Sequence, residues 1–237
     1  MKHKIKLLLV LFSFNLGFSQ GIDTFFSKTD TFLKTYVSDG KVDYDAIKKN
    51  PDKLNEILKI AKAISIEKTD ADKYQAFWIN AYNISVIKGI IDNYPIKSPL
   101  DKAGFFDRIK HEVGGKKITL NDIEHKLLRA QFKDPRFHFV LVCGAVGCPP
   151  LISKAYMPNT LDAQLEQQTK LSINGSFIKV DTKKKKVLGS EILKWYKEDF
   201  TMDGKKEIDF LNKYRTEKIP SNFKLGYFTY NWKLNKQ

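Results

Sequence analysis

The chain has 237 residues, of which 41 are Lys or Arg and 27 are Asp or Glu, so it carries a net charge of +14. That length is ample for a sizeable core and fits one large domain or two small ones. The basic excess raises nucleic acid or an anionic surface as partners, but the lysines are spread along the sequence. The one tight run, Lys183–Lys186, lies between two strand-like segments and reads as a solvated hairpin turn.

Lys2, Lys4 and Lys6 precede an apolar stretch from Leu7 to Phe14, and the small residues Gly17 and Ser19 follow before Gln20. This order of positive, apolar and small segments predicts a secretory signal peptide over residues 1–20, leaving residues 21–237 as a single exported domain that begins at Gln20 or Gly21. The apolar run is shorter than the roughly 20 residues a bilayer span needs, and no later segment comes close to that length. Cys143 and Cys148 are the only cysteines, so no residue is available for lipidation behind the apolar run. Export to the periplasm or the medium makes nucleic acid a poor partner, and an envelope substrate or protein partner is expected instead.

Asp23–Ala63 has apolar residues at helical spacing on both sides of an Asp39-Gly40 turn and reads as a helical lead-in. A second helix is expected from about Asp72 to Asn93, ended by Tyr94-Pro95. Apolar side chains surround it, which predicts burial, and Asn80 and Asn83 fall within the stripe made by Ile79, Ile84, Ile87, Ile90 and Ile91. Amides there must be hydrogen-bonded. His111–Ile118 reads as a hairpin around Gly114-Gly115, and Thr119 with Asp122 caps a helix running to about Phe132. On that helix Glu124 projects among Leu120, Leu127 and Gln131, while His125 lies to one side. Arg129 and Arg136 are candidates to pair with Glu124 or to hold an anionic substrate.

Arg136–Cys143 alternates Phe137, Phe139, Leu141 and Cys143 with His138, Val140 and Val142, and is the best predicted strand. A turn at Gly144–Gly147 follows. A helix opening after Cys148 would put Pro149 at its first position and Cys148 at its cap. Further on, Leu161–Leu171 reads as a helix, Phe177–Val180 with Lys186–Leu188 as a hairpin, a helix capped by Ser190 carries Trp195 and Tyr196, and Leu225–Tyr230 forms a late strand. Trp78, Tyr82 and Trp195 read as core aromatics. The fold class is α+β: a helical N-terminal part packed on a small, mainly antiparallel sheet.

The stretches Phe77–Asn83, Ile123–His125, Asp134–Pro150 and Tyr230–Asn235 together resemble the domain of unknown function 547 family, in the right order and over roughly Phe32 to Asn235. The resemblance implies an exported bacterial single domain, distantly near the papain and transglutaminase-like folds. The sequence departs from the common bacterial pattern at Gly147, where serine is usual, which removes any role for a serine in that turn.

Chemistry centres on the thiols. A helix dipole at Cys148 would lower its pKa and make it nucleophilic, whereas an oxidising compartment favours a Cys143–Cys148 disulfide, and burial would leave both inert. If Cys143 and Cys148 are both buried or bonded to each other, the thiol enzyme expectation fails. His138 five residues before a Cys-x4-Cys pair is no recognised zinc spacing, so neither metal nor cofactor is expected. A thiol enzyme would use Cys143 or Cys148 as nucleophile and His125 or His138 as base, with Glu124 or an asparagine orienting the imidazole; Asn80, Asn83 and Arg136 are candidate binding residues. Two expectations of different class follow: a thiol-dependent hydrolase or acyl transferase acting on amide bonds, and a non-catalytic binding or scaffold domain of the cell envelope. Glu124 is expected to be buried and bonded to Arg136, His138, Asn80, Asn83 or backbone amides at the glycine turn.

Overall fold

The computed structural model describes residues 21–237, so the expected signal peptide and its cleavage point lie outside the described residues. Helix α1 occupies residues 21–36, and strands β1 (Val37–Ser38) and β2 (Lys41–Val42) fold back across the Asp39-Gly40 turn. Helices α2 (Tyr44–Lys49) and α3 (Asp52–Ala63) complete the lead-in. They pack on α4 (Ala71–Asn93), which starts where the Asp70 side chain accepts from the Lys73 amide and stops before the Tyr94-Pro95 bond. Seventeen of its 23 residues are buried, as the apolar coat all round it requires. Among the described residues no helix is long and apolar enough to cross a membrane.

The hairpin β3 (Lys110–Val113) and β4 (Lys116–Thr119) turns at Gly114 and Gly115, both with positive φ. The helix that follows is capped as expected, with the Thr119 side chain accepting from the Asp122 amide. Its middle is not regular: α5 (Leu120–Asp122) and α6 (Ala130–Phe132) flank a π-helical segment, Ile123–Arg129. Such segments are rare and recur at functional sites.

Two expected elements are absent. Arg136–Cys143 is not a strand: Asp134 caps and Pro135 opens a 3-10 turn over Pro135–Phe139, and the chain then continues to Cys143 without regular secondary structure. Its alternation marks burial on both sides, since Phe137, His138, Phe139, Val140, Leu141 and Val142 are all buried. A side chain replaces the missing strand: the Asn83 amide donates to Val140 O and its carbonyl accepts from Val142 N, each at 2.9 Å. Nor does a helix begin at Cys148. The Cys148–Pro150 segment is irregular, and the next helical turn is Pro158–Thr160.

Helix α7 (Leu161–Asn174) leads to the sheet β5-β6-β7 (Ile178–Asp181, Lys186–Ser190, Lys224–Phe228). Strands β5 and β6 are antiparallel, with the lysine run in their exposed turn, and β6 and β7 are parallel. Helices α8 (Glu191–Trp195), capped by Ser190, α9 (Lys197–Phe200) and α10 (Glu207–Tyr214) lie between β6 and β7 in sequence. The architecture is α+β with small, mostly antiparallel sheets. One apolar core gathers on α4, and a second joins Phe139 and Ala145 to α7, α10 and the three-stranded sheet.

Candidate functional site

The glycine turn after Val142 meets the C-terminal segment. Val146 N donates to Lys233 O at 2.7 Å, Gly147 N to Asn231 O at 2.8 Å, and Asn235 N to Gly144 O at 3.0 Å. This pairing carries Tyr230 and Trp232 to the cysteines. Both glycines are sterically required: Gly144 has φ +82° and a Cβ there would lie 2.6 Å from Ile90 Cδ1, while at Gly147 it would lie 2.9 Å from the Tyr230 ring and from Asn231 N. Glycine at position 147 therefore goes with the close approach of Tyr230.

Cys143 and Cys148 are joined as a disulfide, with Cα atoms 6.4 Å apart. Cys148 Sγ accepts two hydrogen bonds, from the Cys143 amide and from the Tyr230 hydroxyl, both at 2.9 Å. The same hydroxyl lies 2.9 Å from Cys143 Sγ. Burial pushes the Tyr230 hydroxyl above its ordinary range, so it stays protonated and available as a donor. Neither sulfur is a nucleophile in this state, so the expected thiol enzyme fails for the oxidised protein.

The disulfide borders a cavity of about 250 Å³ whose walls include Tyr82, Phe106, Glu124, His138, Trp195, Tyr196, Tyr230 and Trp232. Cys148 also lines a larger cavity, of about 1050 Å³, on the side of Pro149, Leu151 and Gln168. Glu124 is buried, as its place on the helix predicts, but the groups its charge acts on are the Tyr82 and Tyr196 hydroxyls and Arg129. Burial first, and then the Glu124 charge, raise the Tyr82 and Tyr196 hydroxyls. The partners expected for Glu124 are engaged elsewhere. Asn80 holds the Tyr156 backbone, donating to its O at 2.8 Å and accepting from its N at 3.0 Å, and Asn83 holds Val140 and Val142. Arg136 pairs with Asp134 at 2.7 Å and Asp162 at 2.8 Å, away from the cavity.

His138 is buried and its Nε2 lies 2.6 Å from Asp199 Oδ2, which also accepts from Arg129 Nε at 2.7 Å. Burial pushes the Asp199 carboxyl up, but the hydrogen bonds from His138 and Arg129 outweigh it and hold the group at about 2. Arg129 thus pairs with Asp199 rather than Glu124, and its guanidinium also covers the Tyr196 ring at 4.6 Å. His125 contacts Arg129 through Nδ1 and is not a wall of the cavity. Trp78 and Tyr82 are buried as expected, whereas Trp195 is 45% exposed and stands at the cavity rather than in the core. Among the described residues no three His, Cys, Asp or Glu side chains gather as a metal site would need.

Of the candidate residues, then, the fold brings Cys143, Cys148, His138 and Glu124 to one cavity, sets His125 behind it, and uses the side chains of Asn80, Asn83 and Arg136 to hold backbone and acidic neighbours. Sequence reasoning missed Asp199, Tyr196 and Tyr230 as site residues. Tyr230 stands in a motif that was visible, but Asp199 sits in a polar segment with no spacing that marks it. The family model described as "Protein of unknown function, DUF547" matches residues 66–173. The match takes in both cysteines, Glu124 and His138 and stops short of Tyr196, Asp199 and Tyr230. No curated protein and no solved structure matches the chain.

Proposed function

We propose, for a chain that belongs to the family of proteins of unknown function DUF547, that it is an exported cell-envelope protein whose dithiol form is a thiol-dependent hydrolase or acyl transferase acting on amide bonds. The observation that carries this reading is the Cys143 amide, which donates to Cys148 Sγ, beside a Tyr230 hydroxyl that reaches both sulfurs at 2.9 Å. A backbone donor on one sulfur stabilises negative charge there, so after reduction Cys148 is the thiolate and Cys143 the protonated partner.

A dithiol reductant gives two electrons and two protons to the disulfide and leaves as its own disulfide. The Cys148 thiolate attacks the amide carbonyl carbon, the C–N bond breaks, and the amine leaves with a proton supplied by His138, whose bond to Asp199 fixes the ring. Water or an acceptor nucleophile then breaks the thioester, returning its proton to His138 and the thiolate to Cys148. The open space on both sides of Cys148 supports access for a substrate on one side and a leaving group on the other.

The test is alkylation by iodoacetamide near neutral pH, before and after reduction, read by mass spectrometry. Reduced wild type should label at Cys148 faster than at Cys143, and Cys143→Ser should label at Cys148 without reductant. Equal, slow labelling of both cysteines in the reduced protein would overturn the reading. It would favour the second one, a non-catalytic binding or scaffold domain of the envelope, for which the disulfide itself speaks.

A further inference from the structure

The cavity beside the disulfide has walls that a thiol reaction alone does not require. Trp195, Tyr230 and Trp232 form one aromatic cluster, with ring centroids 5.1 Å apart for Trp195 and Tyr230, 4.7 Å for Tyr230 and Trp232, and 6.0 Å for the two tryptophans. Tyr82 and Tyr196 line the same space, and the buried carboxylate of Glu124 stands among them.

The charges are unevenly matched. Asp199 is met by Arg129 and by His138, and the guanidinium of Arg129 is directed to Asp199, Glu198 and His125. Glu124 stands beside the neutral Tyr196 phenol, and Arg129, whose charge also acts on it, is bonded to Asp199 instead. A buried carboxylate costs free energy unless a cation offsets it, and aromatic faces attract cations through the negative quadrupole of the ring. Tyr196 already carries one such cation in Arg129.

We propose that this cavity binds an alkylammonium group of the substrate, with Glu124 as its counter-ion and Trp195, Tyr230 and Trp232 as its aromatic wall. The assignment rests on the reading of an amide-directed thiol enzyme and adds to it that the substrate bears a cationic amine close to the scissile bond. The size is consistent: about 250 Å³ takes an ammonium head and a short stem, and is small for a larger ligand. A substrate bound this way would lie with its cation against Glu124 and its chain directed along the Cys148 wall.

Binding is measurable in the oxidised protein, where no thiol chemistry competes. Calorimetric titration of the full mature chain with tetramethylammonium and with n-butylammonium should give saturable binding, while tert-butanol and butyrate bind at least tenfold more weakly. Glu124→Gln and Trp195→Ala should each weaken cation binding tenfold or more. Trp195 is half exposed and glutamine preserves the shape of Glu124, so both variants should unfold near the wild-type temperature, and a thermal scan checks this. Equal binding of tert-butanol, preference for butyrate, no cation binding at all, or cation binding unchanged in Glu124→Gln would overturn the proposal. Failure here with normal Cys148 labelling removes the ammonium site alone, and the converse result removes the thiol reading alone.

Discussion

At the scale of single residues, Glu124 and Asp199 show how the same group is stabilised in two ways. Glu124 is buried beside the Tyr196 phenol, so Glu124→Ala removes a polar neighbour of that hydroxyl and opens a void, and should cost about 2 kcal/mol in urea unfolding. Glu124→Gln keeps an acceptor for Tyr196 and should cost less than half of that. A loss in the alanine variant no larger than in the glutamine variant would contradict this account. Asp199 is held by two donors, and its folded pKa of about 2 lies below the ordinary carboxylate value near 3.9. A depressed carboxylate stabilises the fold fully above its unfolded pKa, and that contribution is lost as pH falls from about 4 through about 2. The difference in stability between wild type and Asp199→Asn should therefore shrink over that interval and be flat near neutrality. A difference that grows on acidification would show the sign to be wrong.

At the scale of elements, the segment after Pro135 illustrates how an amide can take the place of a strand. The polar groups of Val140 and Val142 are buried, and Asn83 on α4 supplies one donor and one acceptor to them. Asn83→Ala leaves both without partners and should destabilise by about 2–3 kcal/mol, with faster hydrogen exchange at the Val142 amide than at amides within α4. Uniform exchange in the two places would mean that α4 and the segment open together and that Asn83 is not their local tie. The glycine turn depends on the same helix: Gly144→Ala would place a methyl group against Ile90 at a positive φ, so both backbone and core would have to move.

At the scale of the molecule, Cys148 packs against both apolar cores and Cys143 against the second. The disulfide thus closes a short loop where the α4 core meets the core of the three-stranded sheet. Loop entropy for so short a ring stabilises by about 2 kcal/mol. For a chain of this size that is a fall in melting temperature of roughly 4–8 °C on reduction. Cys143→Ser with Cys148→Ser should show the lower value with or without reductant. A reduced protein as stable as the oxidised one would mean that the bond constrains nothing the rest of the fold does not.

The sequence by itself determined the elements whose signals are local. Helix α4 was legible from its all-round apolar coat and the Tyr94-Pro95 stop, the hairpin at Gly114-Gly115 from its turn, and the burial of Glu124 from its helical neighbours. Tertiary structure decided what depends on partners far apart in the chain. Alternation from Arg136 to Cys143 reports that both sides are buried, and only the presence or absence of a neighbouring strand makes it a sheet; here Asn83 and the Asp134-Pro135 turn took that place. A proline after Cys148 permits a helix without imposing one. The partners of His138 and Cys148, namely Asp199 and Tyr230, come from 61 and 82 residues away. No spacing encodes such meetings, because hydrogen bonds across that separation are set by how the two cores pack and not by the local backbone.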